Sequence, residues 1–222
     1  MVRKRVYIGE AEGNAVYYDY ENNIPVSVKK SKLLNNYKTK KNWKYIGFIL
    51  GMIFLVRGIG FLVPESSFFN NRYTISTIIF LALLWVIECS FFSVITYQVL
   101  YKNVNLAQPT NKKILSKAIN NNNLWNIFST KKVTVSKKIG MAILIIVIVL
   151  LTIGIFPMLY MINVQEGLLG NSIGGEIIPL SLLGFLPYTS ILLVWINNPL
   201  RWLNIVEKYQ KKKIMTGEKN EK

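Results

Sequence analysis

Apolar residues in this chain come in long blocks, with no repeat of three to four. The blocks are 45–63, 74–97, 139–162 and 177–196, each about 20 residues or more, the length a helix needs to cross roughly 30 Å of hydrocarbon. They predict four transmembrane helices in two hairpins, 45–97 and 139–196.

Between the blocks the pattern changes. Residues 3–28 alternate around two turn signals, Glu12-Gly13-Asn14 and Glu21-Asn22-Asn23, which predicts a small β-meander within segment 1–44. Its acids, Glu10, Glu12, Asp19 and Glu21, sit among tyrosines. They read either as a solvated strand face or as a docking surface for a basic partner or the chain's own basic loop. A basic collar, 29–44, then leads to Trp43 and Tyr45 at interface depth.

In segment 98–138, Thr110 can cap a short helix with Ile114, Leu115, Ala118 and Ile119 on one side; Leu124, Trp125, Ile127 and Phe128 follow. In segment 197–222, after Asn197-Asn198-Pro199, Leu200, Trp202, Leu203, Val206 and Tyr209 lie beside a lysine cluster. Both stretches read as amphipathic helices lying in the interface, with Trp43, Tyr45, Trp125 and Trp202 as anchors. The expected fold is an all-α integral membrane protein with a small cytoplasmic N-terminal β-meander and interfacial amphipathic helices.

Charge adds an orientation. The chain has 27 Lys and Arg against 11 Asp and Glu, a net charge of +16. The basic residues concentrate in 1–44, 98–138 and 201–222, whereas 64–73 and 163–176 hold only Arg72. The positive-inside rule therefore places both termini and the central loop in the cytoplasm. Anionic lipid at the inner leaflet accounts for the surplus, and no nucleic-acid motif accompanies it. The first apolar block begins only after 44 polar and basic residues, so no cleavable signal peptide is expected.

The chain has no histidine, and Cys89 is its one cysteine. Histidine-based acid–base chemistry, Ser-His and Cys-His pairs and ordinary zinc sites are therefore excluded, and neither an enzyme nor a cofactor is expected. The glycine-rich stretch GLLGNSIGGE, 167–176, reads as a flexible connection.

The candidate site lies inside the apolar blocks. Arg57 sits about 18 Å above the inner end of the first span and Glu88 about 14 Å above that of the second, so an ion pair between them is expected. Snorkelling of Arg57 outward, or a water-filled path or bound partner, are the other readings. Gly47, Gly51 and Gly58 share a face about 80–100° from Arg57 that permits close helix approach. Thr77, Leu81, Leu84, Trp85, Glu88, Phe92 and Thr96 share another, read as the bundle interior. The third span is nearly featureless and lipid-facing over much of its surface until Thr152, Gly154 and Pro157; kinks are expected at Pro157 and, in the fourth span, at Pro187.

The tyrosine-rich lead-in RVYIGEAEGNAVYYDYENNIPVSVKK, the paired apolar hairpins and the Lys/Asn/Ile-rich composition resemble, in layout, the small basic immunity proteins of Gram-positive bacteria, particularly the staphylococcal tandem five-transmembrane family. The pattern departs from that family in having four spans against five, and it carries over no individual functional residue. The resemblance implies a membrane-embedded immunity or accessory protein that binds a membrane-active toxin or another membrane protein. The alternative is the membrane subunit of an export or transport complex with a cytoplasmic ATPase partner.

Overall fold

The computed structural model describes residues 4–31 and 72–214. They divide into two compact units, one gathering 4–31, 93–148 and 189–214, the other 72–92 and 149–188. The first predicted span, with Gly47, Gly51, Arg57 and Gly58, and the anchors Trp43 and Tyr45, lie outside the described residues.

The first unit is built on an antiparallel sheet in the order β1 (Arg5–Ala11), β2 (Asn14–Asp19), β3 (Ile24–Lys29) and the two-residue β4 (Gln108–Pro109). Glu12 and Gly13 both have positive φ, 52° and 80°, which makes their two-residue hairpin follow the twist of the strands. The next turn is held by Asp19, whose Oδ1 accepts from the amides of Glu21 at 3.0 Å and Asn22 at 3.2 Å while Oδ2 accepts from Arg5 Nε at 3.2 Å. Burial of Asp19 opposes ionisation, but these hydrogen bonds outweigh it and hold the carboxyl below its usual range.

Both faces of the sheet are covered. Val6, Ile8, Val16 and Tyr18 point to one side, Tyr7, Ala15, Tyr17 and Val26 to the other, as a period of two requires. Over the first face pack α2 (Lys112–Asn120), α3 (Asn123–Asn126) and α7 (Pro199–Gln210), which bury Leu115, Ala118, Ile119, Trp125, Trp202, Leu203, Ile205 and Val206. Asn111, one residue after the expected Thr110, caps α2 by accepting from Ile114 N at 2.9 Å. Gly9 makes the contact possible: a Cβ there would come within 3.1 Å of the Ala118 carbonyl carbon and closer still to its oxygen. A bulge between Tyr7 and Gly9 frees the Ile8 carbonyl, which accepts from Trp202 Nε1 at 2.8 Å and Asn122 Nδ2 at 2.6 Å.

This corrects the expected interfacial helices. Trp125 and Trp202 are 2% and 1% exposed and pack beneath the sheet with their rings tilted and 5.4 Å apart, so neither is a headgroup anchor. The apolar stripes of α2 and α7 are buried by protein. The acidic strand residues answer partly to the chain's own basic loop, for Glu12 pairs with Lys117 of α2, while Glu10 pairs with Lys30.

Under the other face lie Tyr101 and Leu100, from the end of α1 (Ile75–Tyr101), and Leu192 and Ile196, from a π-helical turn, Leu192–Ile196. Tyr17 OH donates to the Leu100 carbonyl and Tyr101 OH to that of Ile196 at 2.8 Å. The sheet is thus hydrogen-bonded to the ends of two long apolar helical stretches.

Among the described residues three stretches are long and apolar enough to cross a membrane, Ile75–Leu106, Val135–Met161 and Ile177–Gln210. The first contains α1 and the second lies within α4 (Val135–Glu166), which continues as helix through Pro157, where the sequence predicts a kink. The third is interrupted into α5 (Ile177–Ser181), a turn at 182–184, α6 (Phe185–Ile191) and the π-helical turn before α7. The break precedes Pro187 rather than falling at it. Pro187 is the third residue of α6, a first-turn position where a missing N–H costs little. Leu182 and Leu183 instead accept from Phe185 N and Leu186 N, each at 3.1 Å, in a tightened i to i+3 pattern.

In the second unit the glycine-rich turn is pinned rather than loose. Tyr73, 2% exposed, donates its amide to Asn171 O at 2.9 Å, accepts from Gly170 N at 2.8 Å, and donates its hydroxyl to Glu176 Oε1 at 2.9 Å.

Candidate functional site

Helix α1 shows the expected division of faces in its 75–92 part. Thr77 and Leu81 are buried and Leu84, Trp85, Glu88 and Phe92 are half-buried, while Ile79, Leu83, Val86, Ile87 and Phe91 are exposed. Against the inward face lies the break between α5 and α6. At the break Leu180 O accepts from Leu183 N at 3.2 Å, in the tightened pattern, and also from Trp85 Nε1 at 2.7 Å.

Glu88 lies one turn along α1 from Trp85, directly over Gly184. A Cβ on Gly184 would approach Trp85 Cα to 2.8 Å and Glu88 Cβ to 3.0 Å, with Glu88 Oε2 nearer still. Only glycine admits this crossing. Phe92 closes the next turn, its ring 4.8 Å from that of Phe185 and 5.6 Å from that of Tyr188.

Within this enclosure Glu88 Oε2 is shielded from solvent and has no hydrogen-bond partner among the described residues. An unsatisfied buried acceptor costs about 1–3 kcal/mol, more when charged. A carboxyl so placed calls for a cation or a donor at its own depth. Arg57, the residue expected to supply it, is outside the described residues. No group of three or more His, Cys, Asp or Glu that could hold a metal occurs among the described residues.

No family model, curated protein or solved structure matches the chain. Its function must therefore be argued from the site alone.

Of the candidate positions, the structure brings Glu88 and Trp85 together with the fourth apolar block, moves the irregularity near Pro187 upstream to 182–184, and removes Trp125 and Trp202 to a protein core. The residue missed as a neighbour of Glu88 is Gly184. A signal for it was present, since Pro179 and Pro187 bracket that glycine within an apolar block, the composition of an interrupted helix.

Proposed function

We propose that this chain is a multi-pass protein of the cell membrane, with both termini cytoplasmic, that acts by contact: an immunity or accessory protein binding a membrane-active toxin or a partner membrane protein through its helix faces. The observation that carries the reading is the enclosed Glu88 oxygen over Gly184, without a hydrogen-bond partner among the described residues, set in helices whose apolar surface those residues leave largely uncovered. In a bilayer such an acid is costly and is retained where it organises a bundle or meets a partner. Arg57 is its proposed partner in the resting chain, and the face the pair organises is the proposed contact surface.

The test is protection. Cells expressing the chain should survive a cognate membrane-active toxin without altered solute flux, and Arg57→Leu with Glu88→Leu, the pair of changes that keeps the fold, should abolish protection at an unchanged level in the membrane. Changed solute flux with no toxin neutralised would sink the reading and favour a transport subunit.

A further inference from the structure

The side chain of Gln210, at the end of α7, ties down a distant segment. Its Nε2 donates to the Lys131 carbonyl at 2.6 Å and its Oε1 accepts from Val133 N at 3.1 Å. One turn earlier, Glu207 accepts from Lys211 Nζ at 2.7 Å and from Lys138 Nζ. These bonds gather Lys131, Lys132, Lys137 and Lys138 with Lys211 and Lys212, although about 70–80 residues separate the two groups.

Among the described residues the charges are nearly uncompensated. Glu207 is the only acid among the described residues that pairs with any of these lysines, and their hydrogen bonds pull its carboxyl down to about 2. Lys131 and Lys137 pair with no acid among the described residues; their ammonium groups donate to backbone carbonyls of Trp125 and Lys132 at 2.8 and 2.7 Å, and both lie within 6 Å of the Trp125 ring centroid. The fold holds like charges together, which is favourable where an anion joins them.

The position of the patch narrows the anion. Lys137 and Lys138 immediately precede Ile139, from which α4 runs without charge to Glu166. Ile127 and Val135, 76% and 73% exposed, flank the lysines. Apolar side chains beside ammonium groups at the end of a spanning helix match the acyl–phosphate boundary of a bilayer.

We propose that Lys131, Lys132, Lys137, Lys211 and Lys212 form a binding site for the phosphate-bearing headgroup of an anionic phospholipid. This rests on the reading of α4 as a membrane span. Lys132 and Lys212 face outward with no hydrogen bond or ion pair at their side chains among the described residues, so changing them leaves the internal contacts of the patch in place.

The experiment compares binding of phosphatidylglycerol and phosphatidylcholine to the full chain in zwitterionic nanodiscs. Lys132→Gln with Lys212→Gln should weaken phosphatidylglycerol binding roughly 25-fold, about fivefold for each lysine. Lys112→Gln with Lys113→Gln, the same charge change on α2, should alter it less than twofold. Equal losses in the two pairs, no loss in either, or equally effective competition by inorganic phosphate would overturn the site. On the unmodified protein, photoactivatable phosphatidylglycerol should label the segments 127–138 and 207–213, and even labelling of all basic segments would also overturn it. Failure of the underlying membrane reading is distinguishable, since the protein would then leave membranes in alkaline carbonate.

Discussion

Trp202 separates two placements of α7, in the lipid headgroups or beneath a protein sheet. Its indole is 1% exposed, lies 5.4 Å from Trp125 and donates to the Ile8 carbonyl at 2.8 Å. Trp202→Ala removes the largest side chain α7 contributes and leaves a cavity against β1, at a cost of about 3–5 kcal/mol. Trp202→Phe should cost only about 1–2 kcal/mol, because Asn122 Nδ2 still satisfies the Ile8 carbonyl at 2.6 Å. The assay is amide hydrogen exchange of β1 and β2 in nanodiscs. Exchange should quicken by roughly 10²-fold or more for the alanine variant and about tenfold for phenylalanine. In parallel, fluorine NMR of fluorotryptophan-labelled protein with lipid carrying a spin label on its acyl chain should broaden Trp195, which is 69% exposed, and spare Trp202. Exchange within threefold of the parent for Trp202→Ala, or broadening of Trp202 equal to that of Trp195, would refute the buried placement.

Other substitutions test the second unit and the sheet. Gly184→Ala should destabilise by about 1–3 kcal/mol, since its Cβ meets the Trp85 backbone at 2.8 Å; thermal unfolding in detergent measures this, and an unchanged midpoint would contradict the crossing. Arg57→Leu and Glu88→Leu should each lower folded yield, with a single loss of about 3–5 kcal/mol that the double change largely recovers; additive losses would exclude the pairing. At high pH the sheet should loosen. Burial, with Glu10 and Tyr17 adding to it at Tyr7 and Tyr101 at Tyr17, pushes both hydroxyls far above the ordinary value near 10. The stabilisation they supply is complete below pH 10 and is lost as pH rises above it, so phenolate absorbance from these two should appear only together with loss of exchange protection.

The meander was legible because strand alternation and a Glu-Gly hairpin are local signals, read within a few residues. The placement of Trp125 and Trp202 was not. An apolar stripe on a helix shows that something water-free covers it, and lipid and a β-sheet satisfy that demand equally. The distinguishing clue lay elsewhere in the chain: with Val6, Ile8, Val16 and Tyr18 on one face and Tyr7, Ala15 and Tyr17 on the other, the sheet needed cover on both sides. At the candidate site, Glu88 stood out because charge inside an apolar block is rare. Gly184 did not, because the crossing that makes it indispensable depends on a helix break set by the whole 177–196 segment.

The bond between Trp202 and Ile8 spans 194 residues of sequence. A ribosome adding roughly 5–20 residues per second needs about 10–40 s to cover that distance. For much of that interval Val6, Ile8, Val16 and Tyr18 have at most α2 and α3 to cover them, because Trp202, Leu203, Ile205 and Val206 have yet to be made. The core on this face of the sheet is therefore complete only after both apolar helical stretches that lie between Pro109 and α7 have been made.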